Sequence, residues 1–191
     1  MFLIKNKYYL IIESIKDIDL SNLKRTQKFI IIYRSKHVKE KLNQILNFRK
    51  LCKAKGVEFY ISNDVKLLTT LKADGLYLSA HNKNLGSIHL KKSNYKIIGS
   101  AHSIKEINLK ILQGCTSIFF SRLFKTSYAN KKDFLGIIRF NLINLKRKER
   151  LIPLGGIRLE NLNKLNLVNC ESFAVLSEIK KKPAKLINRL F

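Results

Sequence analysis

Residues 151–162 read LIPLGGIRLENL. An apolar run of strand length, Leu151 to Leu154, meets two adjacent glycines. Gly155 and Gly156 then give way to leucines at helical spacing. The chain holds only 8 glycines in 191 residues, so a pair at one strand-to-helix junction marks a local demand for backbone freedom. The unit of apolar strand, tight turn and helix decides the fold, because it recurs along the chain.

Upstream, YYLIIE (8–13), KFIIIYR (28–34), VEFYIS (57–62), GLYLS (75–79), YKIIGS (95–100) and TSIFFSRLF (116–124) read as strands, and ERLIPLGG (149–156) as the seventh. ESFAVLSEI (171–179) supplies an eighth strand and its loop. Helical patterns lie between them. A weak one covers 15–25, and a longer one covers 38–56, with Val38, Leu42, Ile45, Leu46, Leu51 and Cys52 at helical spacing and Gly56 as its cap. Others cover 65–73 behind Asn63 or Asp64, 104–114 behind Ser103, 134–148 with Gly136 weakening its first turn, and 158–166. Pro183 opens a last one.

Continuous rather than alternating apolar strands predict a parallel sheet buried on both faces. Eight units predict an α/β protein of one domain over 1–191, a closed (β/α)8 TIM barrel. A doubly wound open sheet is the competing arrangement. At roughly 24 residues per unit the barrel is compact and several helices must be short. No Pro/Ser-rich linker suggests a second domain.

Lys and Arg number 38 against 13 Asp and Glu, a net charge of +25. The cations are spread along the chain, with small clusters at 146–150 and 180–182, and are not interleaved with aromatics that stack bases. This argues against nucleic acid as the partner and fits a lysine-rich composition. A positive field also favours an anionic small substrate. No transmembrane run exists, and Lys5 and Lys7 interrupt the apolar N-terminus, which reads as a strand rather than a signal peptide. The expectation is a cytoplasmic protein with no membrane partner, a homo-oligomer being left open. Cys52, Cys115 and Cys170 form neither a metal pattern nor a disulfide framework and read as buried small hydrophobes.

In such a barrel the working face is the C-terminal end of the strands, and a phosphate site commonly lies in the loops after strands seven and eight. Gly155 and Gly156 fall in the first of these loops and Ser177 in the second. Glycines there let backbone N–H groups approach an anion closely, the alternative being a tight turn alone.

Together, IPLGGIRLENL (152–162) and SFAVLSEI (172–179) resemble the closing section of the thiamine phosphate synthase/TenI family of (β/α)8 barrels. IIYRSK (31–36) resembles the family's Q-L-R-x-K motif, and 56–82 is similar to its G-V-x-x-x-I-N-D to G-Q-E-D section. IIGSAHSIKEI (97–107) resembles I-I-G-x-S-x-H-T-x-x-E, and 121–136 the G-P-I-F-P-T-x-x-K loop. The resemblance implies an enzyme of thiamine biosynthesis. It joins a pyrimidine methyl diphosphate to a thiazole phosphate with Mg²⁺ and releases pyrophosphate. It implies that Arg34 and Lys36 hold the diphosphate, as an Arg fork and a Lys point charge can. Ser100, Thr126 and Lys131 (or Lys132) would line the site, and Gly155, Gly156 and Ser177 would take the thiazole phosphate.

The chain departs from that pattern. The family's two metal-binding aspartates align with Asn63 and Asn82, leaving Asp64 as a substitute one residue along. An amide brings no charge to Mg²⁺, so the metal site is expected to be impaired. The strand-two Gln is Ile32. Arg122, a further candidate for binding phosphate, stands where the synthase has Pro and the tautomerase branch a His. His102 and His81 read as a packing or loop His and an exposed loop His rather than catalysts. Three readings follow: a synthase-like transferase, a non-catalytic or regulatory phosphate-binding barrel, and a TenI-type thiazole tautomerase.

Overall fold

The computed structural model describes residues 7–22, 28–35, 40–93, 95–126 and 133–176. Eight parallel strands close into one barrel in chain order: β1 (Lys7–Ile12), β2 (Phe29–Tyr33), β3 (Glu58–Ser62), β4 (Gly75–Leu78), β5 (Lys96–Ala101), β6 (Ser117–Ser121), β7 (Arg150–Leu154) and β8 (Ser172–Val175). β8 returns to β1, with Tyr9 opposite Ala174. The expected barrel is therefore present, and the open sheet is excluded.

Side-chain alternation divides the apolar residues into two cores. Tyr9, Ile11, Ile30, Ile32, Tyr60, Tyr77, Ile98, Phe119, Ile152 and Ala174 fill the barrel interior. The intervening residues, among them Tyr8, Leu10, Phe29, Phe59 and Phe173, face outward and are covered by the connecting segments. All five residues of β2 are buried for that reason.

Among the described residues four α-helices cover the barrel: α1 (Leu42–Ala54), α2 (Val65–Leu71), α3 (Ile104–Leu112) and α4 (Gly136–Leu145). Asp64 and Ser103 cap α2 and α3 by accepting the N–H of Leu67 and Glu106. Gly56 follows α1 with φ of 65°. Two expected helices are corrected. The 15–25 pattern yields two short 3₁₀ turns, Ile15–Asp17 and Leu20–Asn22. The first is held by a capping box between Ser14 and Asp17. The 158–166 pattern is a 3₁₀ run, Leu159–Leu167. Its apolar residues Leu159, Leu162 and Leu165 repeat every three residues, which suits three residues per turn better than 3.6. Expected helical positions 38–39 and the helix opened by Pro183 lie outside the described residues. Cys52 and Cys115 are buried, and burial pushes both thiols up to about 12, whereas Cys170 is half-buried.

The N-terminal mouth is closed by ion pairing. Glu58 accepts from Lys7 Nζ (3.2 Å), Lys96 Nζ (3.1 Å) and Tyr60 Oη (3.0 Å). Burial raises the Glu58 pKa, but the bonds to Lys96 and Lys7 outweigh it and hold the carboxyl below its ordinary 4.5. A depressed carboxyl contributes stability above the unfolded value and loses it as pH falls through the folded one. Glu58→Gln is expected to cost about 1 kcal/mol near neutrality, the pairs being partly exposed. The gap in thermal midpoint between the two proteins should narrow as pH falls below 4.5. A gap independent of pH would remove the ionic account.

Candidate active site

At the C-terminal mouth, β2 delivers Arg34, whose N–H donates to the Ile12 carbonyl at 2.8 Å while its half-buried side chain charge acts on Tyr77. Tyr77 is fully buried and donates its Oη to Ser100 Oγ at 3.0 Å. Burial raises the Tyr77 pKa, partly offset by the Ser100 bond and the Arg34 charge, so the phenol stays a neutral donor. Phe119 lies against its ring at 5.6 Å. Ile32, at the family's Gln position, is wholly inside the barrel core. The floor of the mouth is thus apolar, topped by one hydroxyl pair.

Beside it, His102 Nδ1 and Ser121 Oγ lie 2.8 Å apart, and the His102 N–H donates to Glu106 Oε2 at 2.7 Å. The Ser–His pair was not legible in the sequence, because the partners are 19 residues apart on neighbouring strand ends.

The glycine pair is explained by its neighbours. Gly155 and Gly156 have φ of 95° and 70°, both left-handed. A Cβ on Gly155 would meet Arg122 Cβ and Cγ at 3.1 Å, and one on Gly156 would strike the carbonyls of Phe124 and Lys125. The space that a Cβ would take at each glycine is filled by the β6 loop, which is why neither position carries a side chain. Their N–H groups have no acceptor among the described residues. Thr126 Oγ1, next along the same loop, is buried without a partner among the described residues. Arg122 is spent largely on structure: Nε (3.1 Å) and Nη2 donate to the Asp133 carbonyl, and its own carbonyl accepts from Leu135 N–H. Lys36, Lys131, Lys132 and Ser177 lie outside the described residues.

The structure brings Asn63 and Asn82 together. Asn63, at φ 59°, accepts on Oδ1 from Ser79 N–H (3.0 Å) and Asn82 Nδ2 (3.1 Å), and its Nδ2 donates to Ser79 Oγ (3.0 Å). Asn82 Oδ1 accepts from Asn84 N–H at 2.9 Å. Asp64 caps α2, its Oδ1 accepting Leu67 N–H at 2.8 Å. The donor set does not fit Mg²⁺: both amide oxygens are neutral and already hydrogen-bonded. No group of three or more His, Cys, Asp or Glu stands together to hold a metal among the described residues.

Two residues absent from the sequence reading lie just beneath. Lys110 and Gln113, both fully buried on the inner side of α3 and the turn after it, reach under the β4 loop. Their sequence signal was a lysine in register with the buried Ile107, with a glutamine three residues on.

The closed (β/α)8 barrel, with an arginine, hydroxyls and a glycine turn at its C-terminal mouth, defines a TIM-barrel protein. A family model described as thiamine monophosphate synthase matches residues 14–179. The chain belongs to that family. It is 31% identical over 155 residues to a thiamine-phosphate synthase of Prochlorococcus marinus, covering 78% of this chain and 44% of that protein. It is 31% identical over 134 residues to a thiamine-phosphate synthase of Bacillus mycoides, covering 68% and 60%. The chain thus spans about half the length of the curated relatives it matches. The solved thiamine phosphate pyrophosphorylase from Pyrococcus furiosus shares the fold at a TM-score of 0.72 and 17% identity, covering 97% of this chain and 95% of that one. The 2-keto-3-deoxy-6-phospho-gluconate aldolase of Zymomonas mobilis does so at 0.64 and 16%, covering 98% and 92%.

Proposed function

We propose that the chain works in thiamine biosynthesis as a thiamine phosphate synthase-type transferase. The pyrimidine methyl C–O bond breaks and its electron pair leaves with diphosphate. The thiazole nitrogen lone pair then captures the resulting cation, giving a thiazolium product and free pyrophosphate. Arg34 and Lys36 would hold the departing diphosphate, with Ser100 and Lys131 beside them. Gly155 and Gly156 N–H, Thr126 Oγ1 and Ser177 would take the thiazole phosphate.

The observation that carries this reading is the pairing of unspent donors. The Gly155 and Gly156 N–H groups and the buried Thr126 Oγ1 have no partner among the described residues, and they sit on adjoining loops. The buried Thr126 hydroxyl and the half-buried glycine N–H groups have hydrogen-bonding capacity left for a bound oxygen. Arg34 supplies the cation that a diphosphate leaving group needs.

The test mixes the purified protein with both substrates and detects thiamine phosphate by oxidation to its fluorescent product. Arg34→Gln is expected to lower kcat/KM about 10²–10³-fold with an unchanged unfolding midpoint. The absence of both product formation and thiazole phosphate binding would sink the proposal. Thiazole phosphate binding without turnover would support the second reading, a non-catalytic phosphate-binding barrel, which the two asparagines favour. A thiazole tautomerase is disfavoured by Arg122, which is engaged in holding its own loop.

A further inference from the structure

We infer that this chain has replaced a divalent-cation site by an amide latch fastened from below by the Lys110 ammonium, and that its mouth is organised without metal. The inference rests on the transferase reading only for what the mouth is used for; the latch itself is a property of the chain.

Lys110 Nζ donates to the carbonyls of Ser79 and Asn82 and to Gln113 Oε1, each at 2.7 Å. An ammonium has three protons, so these three bonds use all of them. Gln113 Nε2 donates to the carbonyls of Asn82 (3.1 Å) and Asn84 (2.7 Å). Two side chains thus gather the β4 loop from the inside at three points. Gly99 makes room: a Cβ there would lie 2.8 Å from Lys110 Cδ and 2.9 Å from Cγ. Above this layer, the Asn82 side chain donates to Asn63, and the Asn63 side chain also bonds Ser79, tying the β3 loop to the β4 loop.

The arrangement does what a bound cation does. It draws oxygens of the β4 loop around one positive charge and fixes the neighbouring loop against them. It also works against a second cation. All three acceptors of Lys110 are neutral, and no carboxylate bonds it among the described residues. A divalent ion on Asn63 and Asn82 would face that charge across one residue, and like charges at such short range repel. It would also have to displace both bonds that Asn63 Oδ1 already accepts.

The test uses Mn²⁺ as the probe, followed by loss of the free-ion electron paramagnetic resonance signal on titration without substrates. The unmodified full chain is expected to show no saturable site tighter than ~1 mM. The double variant Asn63→Asp, Asn82→Asp supplies the two carboxylates but keeps Lys110, and should bind weakly. Adding Lys110→Met should tighten Mn²⁺ at least ~10-fold over the double variant. Should Lys110→Met fail to fold, Lys110→Gln removes the charge while keeping hydrogen-bonding capacity and carries the same comparison. Synthase turnover, if present, should be equal in excess chelator and in Mg²⁺. A tight Mn²⁺ site in the unmodified chain, or equal Mn²⁺ affinity with and without the Lys110 charge, would overturn the latch. Because Mn²⁺ binding is read without substrate, failure of the latch and failure of the transferase reading give different results. A chain that makes no thiamine phosphate yet excludes Mn²⁺ loses only the latter.

Discussion

Gly156→Ala is expected to destabilise the protein by about 2–4 kcal/mol, read as a fall in the urea midpoint at unchanged slope. Two costs add. The residue sits at φ 70°, where alanine is strained. Its Cβ would also run into the Phe124 carbonyl and approach the Lys125 carbonyl at 2.6 Å. Both are backbone atoms and cannot rotate away. Gly136 is the internal control: its φ is 71°, and nothing lies within 4 Å of a Cβ built there. Gly136→Ala should therefore cost only the conformational share, about 1 kcal/mol. Equal effects at the two positions would mean that the β6 and β7 loops yield to each other. Gly155→Ala should fall between them, since its nearest neighbours include the flexible Arg122 side chain.

Asp74→Ala should cost about 2–4 kcal/mol, a thermal midpoint lower by about 6–12 °C. Asp74 Oδ1 accepts Arg49 Nη2 at 2.7 Å, and Oδ2 accepts the Phe59 N–H at 2.7 Å. Arg49 also donates to the Lys72 carbonyl at 3.2 Å, so this one carboxylate joins α1, β3 and the turn into β4. The Arg49 side chain is only 10% exposed, and removing its partner strands a nearly buried charge. The Asp74 side chain is 33% exposed, which keeps the expected cost below that of a fully buried pair. Asp74→Asn retains one acceptor and should lose about half as much. A loss under about 0.5 kcal/mol for the alanine variant would mean that water replaces the carboxylate at Arg49.

The parts of the site that lie next to each other in sequence were legible there. Arg34 at a strand end, the Ser103 cap and the Gly155–Gly156 junction are all local patterns, and each stands where its pattern puts it. Asn63 and Asn82 were legible as altered positions, but their direct bond was not. The Ser121–His102 pair and the reach of Lys110 to Ser79, 31 residues away, had no local signal of partnership. A lysine on a helix reads as solvated until the helix is docked.

What the sequence determined by itself is a parallel sheet of eight units. Runs such as FIIIY in β2 are apolar on both sides and need cover on both faces, and closure into a barrel rather than an open sheet is seen in the strand pairing. That requirement is set by side-chain chemistry and a period of two along each strand, both carried within a few residues. What only the tertiary structure decided is which loops meet at the mouth. Loop closure brings the Gly156 backbone against Phe124 and Lys125, turns Asp64 to its own helix, and sets a buried ammonium under Asn82. Those contacts span loops joined through the barrel rather than along the chain. Their energies depend on distance and burial, which no stretch of sequence specifies alone.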